Sequence, residues 1–315
     1  MKEIFLGNVI RQRRLDLGLT QEQLGKGICE QATICRFEKG TQTPTHNRVK
    51  ALLQRLGLPG NRYFAFLSKN EEMAEMLRND IRKLEVLFHL SNDADRSEIR
   101  AHIWSKLYEL ENIMDQDDQI TRQYILYNRV SVGCPIKPYD PAEQITILMK
   151  AIRLTVPRFE MDAIHSFHFS DDELNIIGLL AYSYLEMGQN RTAISIYHQL
   201  FQYMKKNGLQ SQSCIRLFCR IASHYARTLC AERRYEESIE IAELGWNACI
   251  EHEHYLFLPS LLTTLASCHY LKGNTDQSTA FYYQAYYLLK SIKDERFLPI
   301  LKEEIKERLN LEILY

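Results

Sequence analysis

The amino-acid sequence predicts an all-α protein, in which a small compact head of short helices precedes a longer array of helix pairs. Apolar residues recur at intervals of three and four residues in one segment after another, which is the period of an amphipathic helix. The chain has only 13 Gly and 8 Pro in 315 residues, fewer than the turns of a many-stranded sandwich would require. Small residues return at matching places in the second half, since Ala193, Ser238 and Ser278 are 45 and 40 residues apart. Such a return is typical of stacked helical repeats.

Charge is divided unevenly along a chain whose net charge is only −1. Residues 1–62 hold eleven Lys and Arg against five Asp and Glu, whereas residues 63–315 hold 28 against 35. A basic head on an acidic body indicates that the head meets a polyanion. The sequence has no long apolar run, no signal-peptide core at its N-terminus and no CxxC pair among its eight cysteines. We therefore expect a cytoplasmic protein with reduced thiols and no membrane partner.

The first two helices of the head are indicated by apolar spacing and by a capping box. In the first helix, the apolar residues that recur at helical spacing are Leu6, Val9, Ile10 and Leu17. Gly18 ends this helix in the usual C-terminal way. Residues 20–23, TQEQ, have the form of a capping box and start a short second helix that runs to about Lys26.

Gly27 makes a turn before a third helix, from about Glu30 to Lys39, in which Ile34 and Phe37 face inward. A fourth helix starts at Pro44-Thr45 and is lined on one face by Val49, Leu52, Leu53 and Leu56. Two short helices joined by a tight turn, inside a compact helical unit, have the geometry of DNA-binding helix-turn-helix motifs. The second helix of such a pair enters the major groove of DNA.

Residues 19–44, LTQEQLGKGICEQATICRFEKGTQTP, resemble the Xre/lambda-repressor-like helix-turn-helix, and within that class the heads of the Rgg and PlcR regulators. Four features typical of those heads are present. They are the TQ-x-x-L start at Thr20 to Leu24, the IC at Ile28-Cys29, the Arg-apolar-Glu at Arg36-Phe37-Glu38, and the Pro-Ser/Thr at Pro44-Thr45. The resemblance implies a lambda-repressor-like DNA-binding domain, which we assign to residues 1–68.

The same resemblance implies which residues contact double-stranded DNA. Those that would face the bases are Gln31, Ala32, Thr33 and Arg36. Gln can bridge adenine and Arg can bridge guanine. The backbone N–H of Gln21, at the start of a helix, is a candidate phosphate ligand. Further candidate phosphate contacts are Arg11, Arg13, Lys39 and Arg48.

Two acidic residues of the head need separate interpretation. Arg14 and Glu38 are expected to form a structural ion pair inside the head instead of contacting DNA. Glu30 departs from what a DNA-reading helix favours, because a carboxylate at the entrance to the groove repels phosphates. It could instead accept a hydrogen bond from cytosine or cap the helix. Glu30 keeps open the alternative of an interaction scaffold whose head does not bind DNA.

The body begins with a predicted linker helix in residues 69–92, followed by a repeat domain in residues 93–315 for ligand binding and dimerisation. Residues 174–204 resemble a tetratricopeptide repeat, with Ala181 and Ala193 as the small residues where two helices cross. The pattern returns around residues 222–242 and 262–285, and residues 98–113 and 118–156 are weaker upstream units. The predicted body is thus a tetratricopeptide-like right-handed helical solenoid. Residues 295–314 are expected to cap it or to join a dimer contact.

The order of head, linker helix and repeats resembles the Rgg/PlcR/PrgX quorum-sensing regulators of Gram-positive bacteria, which bind short imported signalling peptides. Applying the repeat phase gives the side chains expected to face such a peptide. They are Asn128, Asn175, Tyr182, Arg220, His224, Arg227, Thr263 and Ser267. Arg220 and Arg227 lie on one helix face and could hold the carboxylate of a peptide. The alternative is that these residues are solvated or pair with the many carboxylates of the body.

No catalytic or cofactor motif is present in the sequence. It has no Gly-rich phosphate loop, no GxSxG and no HExxH. The pairs His165/His168 and His252/His254 lack a third metal ligand at a suitable spacing, so we expect no metal, no cofactor and no enzymatic activity. We expect a homodimer on an inverted-repeat operator, because two heads on a two-fold axis read two half-sites. A regulator of the same fold that binds a partner protein remains the alternative.

Overall fold

The computed structural model describes residues 6–58, 69–91, 93–209, 211–294 and 296–310. Within these residues the chain forms fifteen α-helices and no strand, which confirms the predicted all-α fold. The helices of the head and of the region before the repeats are α1 (Leu6–Asp16), α2 (Gln21–Gly25), α3 (Gln31–Glu38), α4 (His46–Arg55), α5 (Lys69–Leu90), α6 (Asp93–Ile113), α7 (Gln119–Val132) and α8 (Pro141–Thr155). The repeat helices are α9 (Asp171–Glu186), α10 (Asn190–Asn207), α11 (Gln212–Ala231), α12 (Tyr235–Glu251), α13 (Leu258–Leu271), α14 (Thr275–Ser291) and α15 (Phe297–Leu309).

The second helix of the head starts at the capping box that the sequence predicts. The Thr20 hydroxyl accepts a hydrogen bond from the backbone N–H of Gln23 at 3.1 Å, and the Gln23 side chain accepts one from the backbone N–H of Thr20 at 2.7 Å. These bonds satisfy N–H groups that have no acceptor inside the helix. The helix ends one residue earlier than predicted, at Gly25.

The core of the head is built from the inward faces of its four helices. Its buried apolar side chains include Ile10 of α1, Leu24 of α2, Ile34 and Phe37 of α3, and Leu52 of α4. The predicted pair of Arg14 and Glu38 is confirmed inside this head. The guanidinium Nε and Nη2 of Arg14 donate to the two carboxylate oxygens of Glu38 at 2.6 and 2.9 Å.

The chain divides into two compact units. The first comprises Met1–Val86 and Glu98–Leu180, and the second comprises Leu87–Ser97 and Ala181–Tyr315. The head therefore belongs to one compact unit with most of α5 and α6, with α7 and α8, and with the start of α9. The predicted domain boundaries at residues 68 and 92 lie outside the described residues, so they stay predictions.

The three helix pairs with the clearest repeat pattern are α9 with α10, α11 with α12, and α13 with α14. The small residues Ala193, Ser238 and Ser278 are fully buried, as the repeat pattern requires. Gly245 of α12 shows how closely the helices approach, because a Cβ there would lie 2.6 Å from the Cβ of Ala222 on α11. That separation is too short for two carbon atoms, so the packing needs glycine at this position.

The C-terminal helix α15 packs on the second unit through buried Leu301 and Ile305. Glu304 of this helix accepts hydrogen bonds from the hydroxyls of Ser267, at 2.9 Å, and Tyr282, at 2.8 Å. The helix thus packs on α13 and α14 as a cap, as expected. Residues 295 and 311–314 of the predicted segment lie outside the described residues. No helix in the described part of the chain is long and apolar enough to cross a membrane.

Candidate functional site

The exposed face of α3 carries the side chains that the sequence assigns to base contacts. Gln31, Ala32 and Arg36 are exposed, and Thr33 is half-buried. Ala32 and Arg36 lie on the side away from Ile34 and Phe37, which anchor the helix in the head core. Gln31 and Thr33 lie at the edges of that outward side, three and four residues before a core residue. One guanidinium nitrogen of Arg36 donates to the side-chain oxygen of Gln42 at 3.2 Å. All four predicted base-contact residues therefore belong to α3, and three of them are exposed.

The predicted phosphate ligands have different roles within the head. Arg11 and Lys39 are exposed, and Arg48 is half-buried. The Nε of Arg13 donates to the backbone carbonyl of Leu56 at 3.0 Å, so this side chain also joins α1 to the end of α4. The side chain of Gln21 donates to Glu38 at 2.8 Å. Its backbone N–H lies at the start of α2, where an anion is favoured.

Glu30 occupies the N-cap position of α3 and is exposed. Its side chain makes no capping hydrogen bond, although Asp and Asn are commonly found at such positions for that purpose. The Glu30 carboxylate is therefore exposed at the N-terminus of α3 and has no capping role. The alternative of a scaffold that does not bind DNA stays a prediction.

Arg55, at the end of α4, joins the head to α9. Its Nη1 donates to the carbonyls of Leu24, at 3.1 Å, and Lys26, at 2.7 Å, while Nη2 donates to Glu173 at 2.9 Å. Both charged side chains are almost completely buried. The other carboxylate oxygen of Glu173 accepts from the backbone N–H of Ser170 at 2.6 Å. Such extra hydrogen bonds offset part of the cost of burying the two charges. The Nε of Arg55 is buried without a hydrogen-bond partner among the described residues.

Sequence reasoning missed this buried pair. The run Ser170 to Glu173 has the S-x-x-E form of a capping box, which predicts that Glu173 sits at a helix start. Nothing in that pattern names Arg55 as its partner, because the two residues are 118 positions apart.

Further contacts fix α4 and the α2–α3 turn within the first unit. Asn47 of α4 donates to the hydroxyl of Thr121 at 3.3 Å, and Lys50 lies 3.2 Å from Glu75 of α5. Burial lowers the pKa of Lys50, and the nearby Arg82 lowers it further against the opposing effect of Glu75. Gly27 approaches so closely that a Cβ on it would overlap the backbone carbonyl of Thr155.

A cluster of cationic and aromatic side chains lies in the second unit, on α9 and α11. The rings of Tyr182 and His224 meet edge to face with centroids 5.2 Å apart, and Arg227 lies 3.2 Å from His224. Burial, and then the positive charges of Arg227 and Arg220, lower the pKa of His224 to about 3. The imidazole is therefore neutral at pH 7, and the charge of the cluster comes from its arginines.

Two further groups define the electrostatics of this cluster. Tyr182 is hydrogen-bonded to the carboxylate of Glu186, which supplies a negative charge at the end of α9. The hydroxyl of fully buried Tyr197 finds no hydrogen-bond partner among the described residues, and its pKa is raised by burial. Tyr182, Arg220, His224 and Arg227, all predicted peptide contacts, thus lie in one neighbourhood.

The remaining predicted peptide contacts are placed differently. Thr263 donates to the carbonyl of Pro259 at 2.9 Å, and Ser267 donates to Glu304. Asn175 and Asn128 belong to the first compact unit, where each donates its amide to the carbonyl four residues earlier at 2.9 Å. Asn128 is fully buried. Peptide contact by these four residues stays a prediction. Among the described residues, no group of three or more His, Cys, Asp and Glu could hold a metal ion.

A basic helix-turn-helix head with an exposed third helix, followed by an array of helical repeats, defines the class of helix-turn-helix proteins with a helical-repeat body. Two family models match the chain: a helix-turn-helix domain over residues 6–62, and the RNPP family C-terminal domain over residues 86–310. The second covers more than half of the chain, and the protein therefore belongs to the RNPP family.

Solved structures show the same fold at low sequence identity. PlcR of Bacillus thuringiensis, in complex with the peptide PapR7 and DNA, is 18% identical with a TM-score of 0.59, and the match covers 94% of this chain and 98% of that one. The apo form of the competence regulator ComR from Streptococcus vestibularis is 14% identical with a TM-score of 0.54, over 96% and 97% of the two chains. ComR with its signalling peptide XIP gives a TM-score of 0.52 at 12% identity, over 96% and 98%. A comparison with curated protein sequences finds no significant match.

Proposed function

We propose that the protein is a DNA-binding transcription regulator controlled by a short signalling peptide that its repeat array binds. The observation that carries this proposal is the exposed face of α3 on a basic head, in a chain whose body belongs to the RNPP family. Two of the similar structures support it, since PlcR was solved with PapR7 and DNA, and ComR with its signalling peptide XIP.

The regulator acts as a homodimer on an inverted repeat, because a single small helix-turn-helix head binds only one half-site. The side chains of Ile300 and Phe297 on α15 are 60% and 45% exposed, beside the face that caps the array. We assign these exposed apolar side chains to the contact with a second copy, whose same face a two-fold axis would bring opposite. Sedimentation equilibrium is expected to give twice the chain mass at micromolar concentration, and Ile300→Asp is expected to shift the protein toward the monomer.

The basic cluster of α11 supplies the chemistry that a peptide needs. Arg220 and Arg227 present guanidinium groups that bind carboxylates through charge-assisted hydrogen bonds. His224, neutral between them, adds a hydrogen-bonding ring without another full charge. We place an anionic group of the peptide here, either its C-terminal carboxylate or an acidic side chain.

DNA binding is tested with the upstream region of its own gene in fluorescence anisotropy at fixed salt. Arg36→Ala and Gln31→Ala should each weaken specific binding by about 1–3 kcal/mol, roughly 5- to 150-fold, because each removes a bidentate contact to a base. Lys83→Ala, an exposed change on α5, serves as the matched control. Wild-type protein that ignores duplex DNA at low ionic strength, with and without candidate peptides, would contradict the proposal.

Peptide binding is tested with synthetic peptides encoded by small open reading frames that carry a secretion signal beside the gene. Arg227→Ala and Arg220→Ala should each lower the affinity about tenfold or more, the effect of losing a charged hydrogen bond. Lys290→Ala on α14 is the matched control, and an amidated peptide separates recognition of the C-terminus from recognition of an acidic side chain. A stable complex with another protein, and no effect of any peptide on DNA binding, would favour a partner-controlled regulator.

A further inference from the structure

Four cysteines of the second unit form two facing pairs across helix contacts. Helix α11 carries Cys219 and Cys230, which are about three turns apart and so lie on nearly the same side of the helix. The thiol of Cys219 is hydrogen-bonded to that of Cys249 on α12. The thiol of Cys230 is hydrogen-bonded to that of Cys268 on α13. One helix is thus joined to two neighbours, each time by a pair of reduced thiols.

The two pairs differ in their access to solvent. Cys219, Cys249 and Cys268 are fully buried, whereas Cys230 is half-buried. Cys268 is also 3.2 Å from the hydroxyl of Ser238. A reagent therefore reaches the Cys230–Cys268 pair through Cys230 before it reaches the Cys219–Cys249 pair.

The facing arrangement also changes the acidity of the thiols. The hydrogen bond from Cys230 lowers the pKa of Cys268 against the opposing effect of burial, and Cys249 does the same for Cys219. The sulfur that forms a thiolate more readily is thus Cys268 in one pair and Cys219 in the other, each with a second thiol beside it. A peroxide that enters past half-buried Cys230 would therefore react at Cys268. Cys29 of the head is different, because burial raises the pKa of its thiol to about 11.

We propose that these two dithiols are oxidised by a peroxide to two interhelical disulfides, Cys230–Cys268 first and Cys219–Cys249 second. In each pair one thiolate attacks a peroxide oxygen, so that the O–O bond breaks, a sulfenic acid forms and the first water leaves after taking up the thiol proton. The second sulfur then attacks the sulfenic sulfur, the S–O bond breaks and the second water leaves with the remaining proton. Two thiols and one hydrogen peroxide give one disulfide and two waters, with two electrons passing to the peroxide.

Along α11, the two disulfides would lie on either side of the residues to which we assign peptide binding. Arg220, His224 and Arg227 lie between Cys219 and Cys230 along α11, about a quarter turn away around the helix. Oxidation would fix this helix to α12 and α13 while the peptide-facing residues stay in place. This consequence for peptide binding rests on the proposed function, whereas disulfide formation itself does not.

The test is to titrate the reduced full-length protein with hydrogen peroxide, block the remaining thiols with an alkylating reagent and map the disulfides by mass spectrometry. We expect a Cys230–Cys268 disulfide at low oxidant and a Cys219–Cys249 disulfide at higher oxidant, both within one chain and both reversed by dithiothreitol. The thermal midpoint of the oxidised protein should rise, since a cross-link restricts the unfolded chain. Disulfides that join other cysteines, or four thiols that stay alkylatable when Cys134 is already oxidised, would overturn the proposal.

Serine variants separate the two pairs. Cys230→Ser should abolish the first disulfide and leave Cys219–Cys249 able to form, while Cys134→Ser, in the first unit, should change neither. If Cys230→Ser fails to fold, Cys268→Ser tests the same pair from the other helix. Peptide affinity measured on oxidised and reduced protein tests the functional consequence. Loss of all peptide binding in both states would reject the proposed function, yet the disulfide map would still decide the oxidation chemistry.

Discussion

Glu38 is a carboxylate held in the core of the head, 5% exposed, with hydrogen bonds from Arg14 and Gln21. Burial alone would raise the pKa of this carboxyl, but the hydrogen bonds and the charge of Arg14 outweigh it and hold the pKa below its ordinary value. A depressed pKa in the folded state means that the carboxylate stabilises the head above the unfolded pKa, which is about 4.3. That stabilisation is lost as the pH falls below this value through the folded pKa.

The head should therefore lose stability below about pH 4 through Glu38 in particular. Glu38→Gln should lower the stability at pH 7 and flatten the acid limb of the pH profile, because the amide has no proton to take up. Urea unfolding at a series of pH values measures this. Glu22→Gln, an exposed change on α2, is the control and should leave the profile as it is. Equal acid limbs for wild type and Glu38→Gln would contradict the assignment.

The buried pair of Arg55 and Glu173 gives a second test at the level of single residues. Arg55→Met should destabilise the first unit by about 3–5 kcal/mol, because it leaves the Glu173 carboxylate buried without its cation. Adding Glu173→Gln to Arg55→Met should recover part of that loss. Urea unfolding of both single variants and of the double variant forms the cycle. Additive losses would show that the two charges act independently.

At the scale of elements, the glycine turn between α2 and α3 can be compared with the glycine that ends α1. Gly18 and Gly27 both have positive φ, at 67° and 75°, but a Cβ on Gly18 meets no atom within 4 Å, whereas one on Gly27 overlaps the Thr155 carbonyl. Gly18→Ala should cost about 1–2 kcal/mol from backbone strain alone. Gly27→Ala adds a clash with backbone and should cost clearly more.

Urea unfolding measures both glycine variants, and limited proteolysis near the turn reports whether it separates from α8. The decisive result is the difference in the free energy of unfolding between Gly18→Ala and Gly27→Ala. If both substitutions cost the same, the close approach of Gly27 to Thr155 is not a feature of the protein in solution.

Local signals predicted the elements better than the contacts between them. The capping box at Thr20, the inward Ile34 and Phe37, and the exposed Gln31 and Arg36 all follow from residue types within one or two helical turns. The role of α4 in holding the head against α7 and α9 could not be predicted, because it depends on side chains far apart in the chain. The pairing of thiols was missed for the same reason, since spacing along the chain showed only scattered cysteines.

At the scale of the whole molecule, the uneven charge of the chain leads to a prediction about salt. The residues of the head that we expect to contact phosphates are Arg11, Arg13, Lys39 and Arg48. Because a dimer has two heads, its binding would release counterions from about eight phosphates. The logarithm of the binding constant should then fall with the logarithm of salt concentration with a slope of about −7. Arg13, already bound to the Leu56 carbonyl, should contribute least to that slope.

Anisotropy titrations at several salt concentrations measure this slope. Lys39→Ala should make it shallower by about two in a dimer, one for each head, and should weaken binding to all sequences alike. Arg36→Ala, by contrast, should reduce the preference for the operator over unrelated DNA. A slope near zero would mean that the basic head does not contact phosphates.

The sequence predicted a helix-turn-helix head followed by a repeat body, and the two family models match the chain in that order, at residues 6–62 and 86–310. The division into compact units was not predictable in the same way. The head belongs with α7, α8 and the start of α9, because buried polar contacts such as Arg55 with Glu173 hold it there. Such contacts leave no periodic trace in the sequence.

Two contacts of the head have a consequence for protein engineering: Gly27 packs against Thr155, and Arg55 pairs with Glu173. Exchanging DNA specificity between relatives by grafting a foreign head onto this body would leave Glu173 without its guanidinium unless the graft carries an arginine at position 55. It would also require a glycine where the chain turns past Thr155. Replacing only the outward residues of α3 avoids both mismatches, so operator preference should be transferable one helix face at a time.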